Sequence, residues 1–448
     1  MTIEEFGRKL RAVEVTALEL TETCLRRIEE LQPQLNAFIR VMADEARRDA
    51  AAADRELASG VDRGPLHGVP IAVKDLIDIK GVPTTAASRV REGHVAAVDA
   101  PVIARLREAG AVLIGKTNLD EFAFGTTSEN SAFGPVRHPI DPSRSPGGSS
   151  GGSAVAVAAG MALAALGTDT GGSIRIPAAA CGTSGLKPTL GEVSTEGVVP
   201  LSRTLDHLGP FALTVHDARL VYRAMLGEGA RHGGADPSRS AAGLRLAIPR
   251  GYLTELLDND VRTRFDEAVA AFRATGTKVT DVAIPHASST PAVYVHIHAS
   301  EGATYHARTL DTHAERYMPA VRLRLELGRY VLAQDYVRAM EGRAVLRREV
   351  DAALAGCDAL LLPTLPIPAP PIGAEHLVID GAEQPVRALM LRLTQLFNVT
   401  GHPAISIPCG LASRGLPVGL QIVGHRSRTE ALLSVACALE KTLSPQAP

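Results

Sequence analysis

Apolar and charged positions alternate at helical spacing through residues 2 to 58, with Glu-rich opening turns and Thr16 or Thr21 placed to cap, so two or three surface helices are predicted there (the N-terminal segment 1–58). Pro65 to Pro70 then reads as a turn, and Ile71-Ala72-Val73 as a short buried strand that ends on Lys74. Residues 101 to 115 read as helix, glycine stop and strand, half of a βαβ unit. The run Ala154 to Leu166 is apolar throughout except at Gly160, which predicts a buried helix. It is shorter than the roughly 20 residues a membrane span needs. Pro177 to Pro188, with Cys181, and the turn Leu201 to Pro210 read as structural, with Ser202 and Asp206 bonding to backbone.

Beyond the Gly-, Arg- and Ser-rich run Gly227 to Gly243, the best linker in the chain, the pattern shifts. A strand (Leu244 to Ile248), a helix (Val261 to Gly276), a strand (Val279 to Ile284) and long Arg/Glu-rich helices predict a peripheral layer over 244–355. Cys357 to Gly373 reads as a buried strand and a rigid proline loop, Leu389 to Gly401 as a helix, and Ala404 to Pro408 and Val418 to Val423 as closing strands. The organisation expected is one domain over 1–448, with its core at about 60–226 and 356–448.

Charge narrows the function. A net charge of −2 from 47 basic and 49 acidic residues implies no nucleic-acid and no membrane-surface partner. Five scattered cysteines without CxxC spacing favour a reduced, cytoplasmic protein without structural zinc, and His296, His298 and His306 lack HExxH spacing, so no metal is expected. The first residues lack the order of a signal peptide. Of the 47 basic residues only seven are lysine, which suggests lysine is kept where a proton must be lost.

Two glycine-serine loops carry the chemistry: Ser143-Arg-Ser-Pro-Gly-Gly-Ser149-Ser150-Gly-Gly-Ser153 and Gly167-Thr-Asp169-Thr170-Gly171-Gly172-Ser173-Ile-Arg175. Glycines let the backbone approach a bound atom, so each loop can set a hydroxyl beside bare amides, the pairing acyl transfer requires. Lys74 sits upstream in Ile71-Ala-Val-Lys-Asp75. A lysine ordinarily titrates near about 10.4, and burial can bring it toward neutrality as a base. A salt bridge from Lys74 to Asp75 or Asp78 is the other reading of the same spacing.

These motifs, with the closing Gly415-Leu-Pro-Val-Gly-Leu-Gln-Ile-Val-Gly424, resemble the amidase signature family over nearly the whole chain. The resemblance implies an α/β/α sandwich with a mixed central sheet and a peripheral helical layer. It implies Ser173 as nucleophile, Ser149 after a cis peptide bond as proton relay, and Lys74 as base, with no cofactor. The amides of Thr170, Gly171, Gly172 and Ser173 would form the oxyanion hole, Ser150, Asp169 and Arg175 would support the network, and Phe124 and Gly125 would be walls of the acyl pocket. Phe122 reads equally as a core aromatic, and Arg175 is taken to brace the loops rather than to meet a substrate carboxylate.

Rival motifs fail on context. Gly147 to Gly151 satisfies GxSxG but lacks the preceding strand of a nucleophile elbow, Ser184-Gly-Leu-Lys187 is followed by Pro188, and no GK[ST] follows the glycines. The expectation is hydrolysis of small or aryl-containing carboxamides, with esters and carbamates (urethanes) open, by a protein admitting a homodimer. The alternative is an A subunit of a glutamyl-tRNA amidotransferase-type complex that releases ammonia from an amide donor. Those subunits typically carry Gln where this chain has Ile176, which counts against glutamine.

Overall fold

The computed structural model describes residues 1–227 and 240–443, so most of the linker expected at 227–243 lies outside the described residues. The strands are β1 (Phe38–Val41), β2 (Pro70–Lys74), β3 (Val112–Thr117), β4 (Ala164–Asp169), β5 (Ser184–Lys187), β6 (His207–Ala212), β7 (Arg245–Arg250), β8 (Lys278–Ala283), β9 (Ala359–Pro363), β10 (His376–Ile379), β11 (Ala382–Pro385), β12 (Ala404–Leu411) and β13 (Pro417–Val423). β10 and β11 form a separate hairpin, and the other eleven form one sheet in the order β1-β3-β2-β4-β6-β5-β12-β13-β9-β7-β8. The sheet is mixed: β2 runs parallel to both β3 and β4, whereas β4–β6 and β12–β13 are antiparallel. Every residue of β2, β3, β4, β6 and β9 is buried, which explains their continuous apolar runs.

Three expectations change. The run 154–166 is not one helix: a helix over Gly151–Ala158 stops, Gly160 turns the chain at φ +68°, and β4 begins at Ala164. A short apolar run suits a buried strand as well as a buried helix, and here the sheet takes its second half between β2 and β6. The turn at 201–210 gives way to β6 at His207. The helix expected over 389–401 is two, Val386–Arg392 and Gln395–Thr400, the second closed by Gly401 at φ +78°.

The segment 244–355 divides. β7 and β8 extend the central sheet, while the helices Thr290–His313, Pro319–Gly328 and Ala333–Leu354 pack on one another and on Gln395–Thr400. Ile297, Leu346, Leu362 and Phe397 join that cover to the sheet, and Phe6, Ile28, Ile71 and Leu166 join the N-terminal helices to it. No helix among the described residues is long and apolar enough to cross a membrane.

Candidate active site

Because β2 and β4 are parallel, with Val73 opposite Leu166, their C-terminal ends deliver Lys74 and Thr168 to one edge of the sheet. Lys74 is fully buried, and its Nζ lies 2.8 Å from Ser149 Oγ, 2.8 Å from Ser150 Oγ and 2.7 Å from Thr168 Oγ1. Burial brings the amine down to about 7, against the opposing pull of Asp120, Asp169 and Asp206. The salt-bridge reading does not hold: Asp75 is 2.9 Å from Lys116, and no ion pair to Lys74 occurs among the described residues. A neutral amine has two N–H donors and one lone pair, so one of the three hydroxyls must donate to it. Ser150 is not that one, because its hydroxyl donates to the Thr168 carbonyl at 3.1 Å.

The first loop needs its glycines. A Cβ at Gly148 would meet Asp120 Oδ2 at 2.4 Å and the amides of Thr127 and Ser128 within 2.8 Å. The Gly148–Ser149 peptide is cis. Ser149 and Ser150 are wholly buried, whereas Ser173 is 6 % exposed. The two loops are joined by the Ser150 amide, which donates to the Ser173 carbonyl at 3.2 Å.

In the second loop the amides of Thr170, Gly171, Gly172 and Ser173 have no protein acceptor among the described residues, so four consecutive N–H groups stand free in the loop that carries Ser173. Their frame is rigid. Arg175, fully buried, grips Asp169 through Nε (3.0 Å) and Nη2 (2.9 Å), and spends its remaining donors on Gln421, Asn398 and the Thr394 carbonyl. Burial works to raise the Asp169 carboxyl, but the Arg175 charge and hydrogen bonds, helped by Lys187 and Asn398, hold it well below the usual range. Thr170 Oγ1 donates to Asp206 at 2.6 Å, and burial pushes that carboxyl up to about 6. Gly172 sits at φ +143°, with Thr394 filling the space a side chain would need.

A cavity of about 490 Å³ is lined by Phe124, Tyr294, His298, Arg324, Arg387 and Leu391, among others. No residue of either loop lines it, but two of its lining side chains pack on the second loop: a Cβ at Gly171 would lie 2.4 Å from Tyr294 Oη and 3.0 Å from Leu391. Phe124 therefore lines it, edge-on to His298 at 5.3 Å. Gly125 does not: a side chain there would collide with the Asp120 carboxyl at 2.1 to 2.4 Å. Phe122 packs on His306 at 4.3 Å in the core. Ile176 is also core, its side chain filling the space beside Gly147 and Gly172, so its identity says little about the substrate. A larger groove of about 800 Å³, bordered by Leu201, Glu301 and Tyr336, likewise includes no residue of either loop, and none of its lining side chains is a nearest contact of the loop glycines.

Sequence reasoning missed Thr168, Asn398, Tyr294 and the cavity arginines, and gave Asp206 its bonds to the Leu201 and Ser202 amides but not the one from Thr170 Oγ1. Thr168 stands inside the Gly167 to Arg175 stretch, but its meeting with Lys74 depends on β4 pairing parallel to β2, which the apolar run before it does not reveal.

A family model described as Amidase matches residues 19–433. The A subunit of the glutamyl-tRNA(Gln) amidotransferase of Anaeromyxobacter dehalogenans (strain 2CP-C) is 40% identical over 482 residues, covering 99% of this chain and 96% of that one. A crystal structure of an amidase matches with a TM-score of 0.93 at 40% identity, over 99% of this chain and 100% of that one. The solved A subunit of the Thermotoga maritima glutamyl-tRNA(Gln) amidotransferase matches with a TM-score of 0.80 at 35% identity, over 98% and 94%.

Proposed function

The chain belongs to the amidase signature family, whose members act on amide C–N bonds, and from that premise we propose that it cleaves a small carboxamide through a Ser173 acyl-enzyme. Ser173 Oγ attacks the carbonyl carbon while its proton passes to Ser149 and from Ser149 to neutral Lys74. The free amides of 170–173 hold the oxyanion. As the C–N bond breaks, Lys74 returns the proton through Ser149 to the leaving nitrogen. Water then attacks the acyl-enzyme by the same relay, releasing the acid and restoring Ser173. Ser150 and Thr168 position the amine. The observation that carries this reading is a buried lysine, near-neutral at about 7, resting on three hydroxyls with no carboxylate in contact.

A second reading concerns where the ammonia goes. Likeness to the amidotransferase component from Anaeromyxobacter, at 40% identity over 96% of its length, favours a chain that works inside an amidotransferase assembly more than one that works alone. Ile176, buried beside the loops, gives no ground against glutamine.

Fluorophosphonate labelling followed by mass spectrometry tests the shared chemistry. The label is expected on Ser173 and absent from Ser173→Ala; a label retained elsewhere in that variant would overturn the assignment. Turnover of simple amides by the isolated chain would favour the free enzyme, and turnover only with added amidotransferase partners would favour the assembly.

A further inference from the structure

Among the described residues, the cavity whose Tyr294 and Leu391 pack on Gly171 is lined by three arginines, Arg324, Arg387 and Arg392, and by no aspartate or glutamate. Of the buried arginines, Arg175 rests on Asp169 and Arg219 on Glu430, while Arg343 donates to the Val399 and Thr204 carbonyls. Arg392 is used locally, stacked 3.8 Å over the Tyr252 ring and donating to the Tyr252 carbonyl. Arg324 donates only to the Phe124 carbonyl, at 2.7 Å, and Arg387 stands 5.7 Å from the Phe124 ring centre with no hydrogen-bond acceptor among the described residues. Asp120, the carboxylate whose charge both feel, is already used by the amides of Ser128 (2.8 Å) and Asn130 (3.2 Å). Burial lowers the basicity of both guanidinium groups, and Arg387 further depresses Arg324, to about 10. An anion placed between them would relieve both costs and supply the bidentate acceptor that guanidinium groups match.

We propose that Arg324 and Arg387 receive a carboxylate on the acyl part of the substrate, so that the amide cleaved is a monoamide of a dicarboxylic acid. This rests on the amide-cleavage reading above. Because no acid lines the cavity, nothing there would pair with an ammonium group, and the arginines would repel it. A plain dicarboxylic monoamide is therefore preferred over a zwitterionic amino-acid amide such as glutamine, which bears directly on the amidotransferase reading.

Glutaramate, its methyl ester and glutamine form a matched set of probes. Glutaramate is expected to exceed both others in kcat/KM by about 10- to 100-fold, the range of hydrogen bonds to charged groups. In Arg387→Gln and in Arg324→Gln the glutaramate-to-ester ratio should fall toward one. Equal use of glutaramate and its ester, or glutamine matching glutaramate, would overturn the inference while leaving amide cleavage intact. Glutarate binding, followed by calorimetry, separates the two claims if no amide turns over. Binding that weakens at least tenfold in either variant would keep the arginine site even where the amide reading fails. Glutarate binding no tighter than dimethyl glutarate would overturn the site.

Discussion

Lys74 and Lys116 sit on neighbouring parallel strands, one register step apart, and both are buried, yet they have different surroundings. Lys116 lies 2.9 Å from the Asp75 carboxylate and also donates to Thr84 Oγ1 and the Pro83 carbonyl. Among the described residues Lys74 has only hydroxyls within reach. Burial lowers both amines, but only Lys116 has a contacting carboxylate that offsets it. Burial alone does not make a base. The partner does, and the next residue after Lys74, Asp75, is turned to the other lysine, leaving Lys74 free to carry a proton.

The widest separation between the two should come from deleting each amine. Lys74→Ala is expected to lower kcat/KM for an anilide by about 10²- to 10⁴-fold, with a smaller loss for the nitrophenyl ester of the same acid, whose leaving group needs no proton. Equal losses, with chemistry limiting both, would restrict Lys74 to activating Ser173. Lys116→Met, by contrast, should cost about 3 to 5 kcal/mol of stability in urea unfolding, because Asp75 is left buried and unpaired, while activity per folded molecule persists. Loss of catalysis with stability kept would erase the distinction.

A pH effect on stability comes next in size. The unfolded chain holds the Lys74 proton up to about 10.4 and the folded chain releases it near 7, so between those values the unfolded state binds more protons and stability rises with pH. Lys187, also depressed by burial, adds a slope of the same sign. The test is therefore the difference between wild type and Lys74→Met from pH 7 to 10: the variant should show the shallower rise, and identical slopes would mean Lys74 keeps its proton when folded. The smallest effect belongs to Thr168→Val. Removing one hydroxyl that accepts from the ammonium should move the acid limb of kcat/KM to lower pH, by roughly one unit or less, with about 1 kcal/mol of stability lost. A limb moving to higher pH would contradict the contact.

Much of the site was legible because its parts lie in short, chemically distinctive stretches. Lys74 closes an apolar strand, and the serines sit in glycine runs whose purpose is visible in the contacts a Cβ would make at Gly148, Gly171 and Gly172. The sheet was legible in its closing strands but not at β4, where an all-apolar run carries no periodicity to separate helix from strand. Arg324 and Arg387 were not legible at all. They come from different helices of the chain, look like any of its surface arginines, and acquire meaning only through a shared cavity without an acid. Gly125, which the resemblance offered as a pocket wall, packs against the Asp120 carboxyl and does not line this cavity.

The central claim, that Lys74 is the neutral base behind Ser173, can be tested without knowing the substrate. The rate of Ser173 modification by a fluorophosphonate, measured against pH, should rise about tenfold per pH unit below neutrality, level off above an inflection near 7, and lose both speed and inflection in Lys74→Ala. An inflection near the ordinary lysine value of about 10.4, or one near 7 that survives in Lys74→Ala, would contradict it.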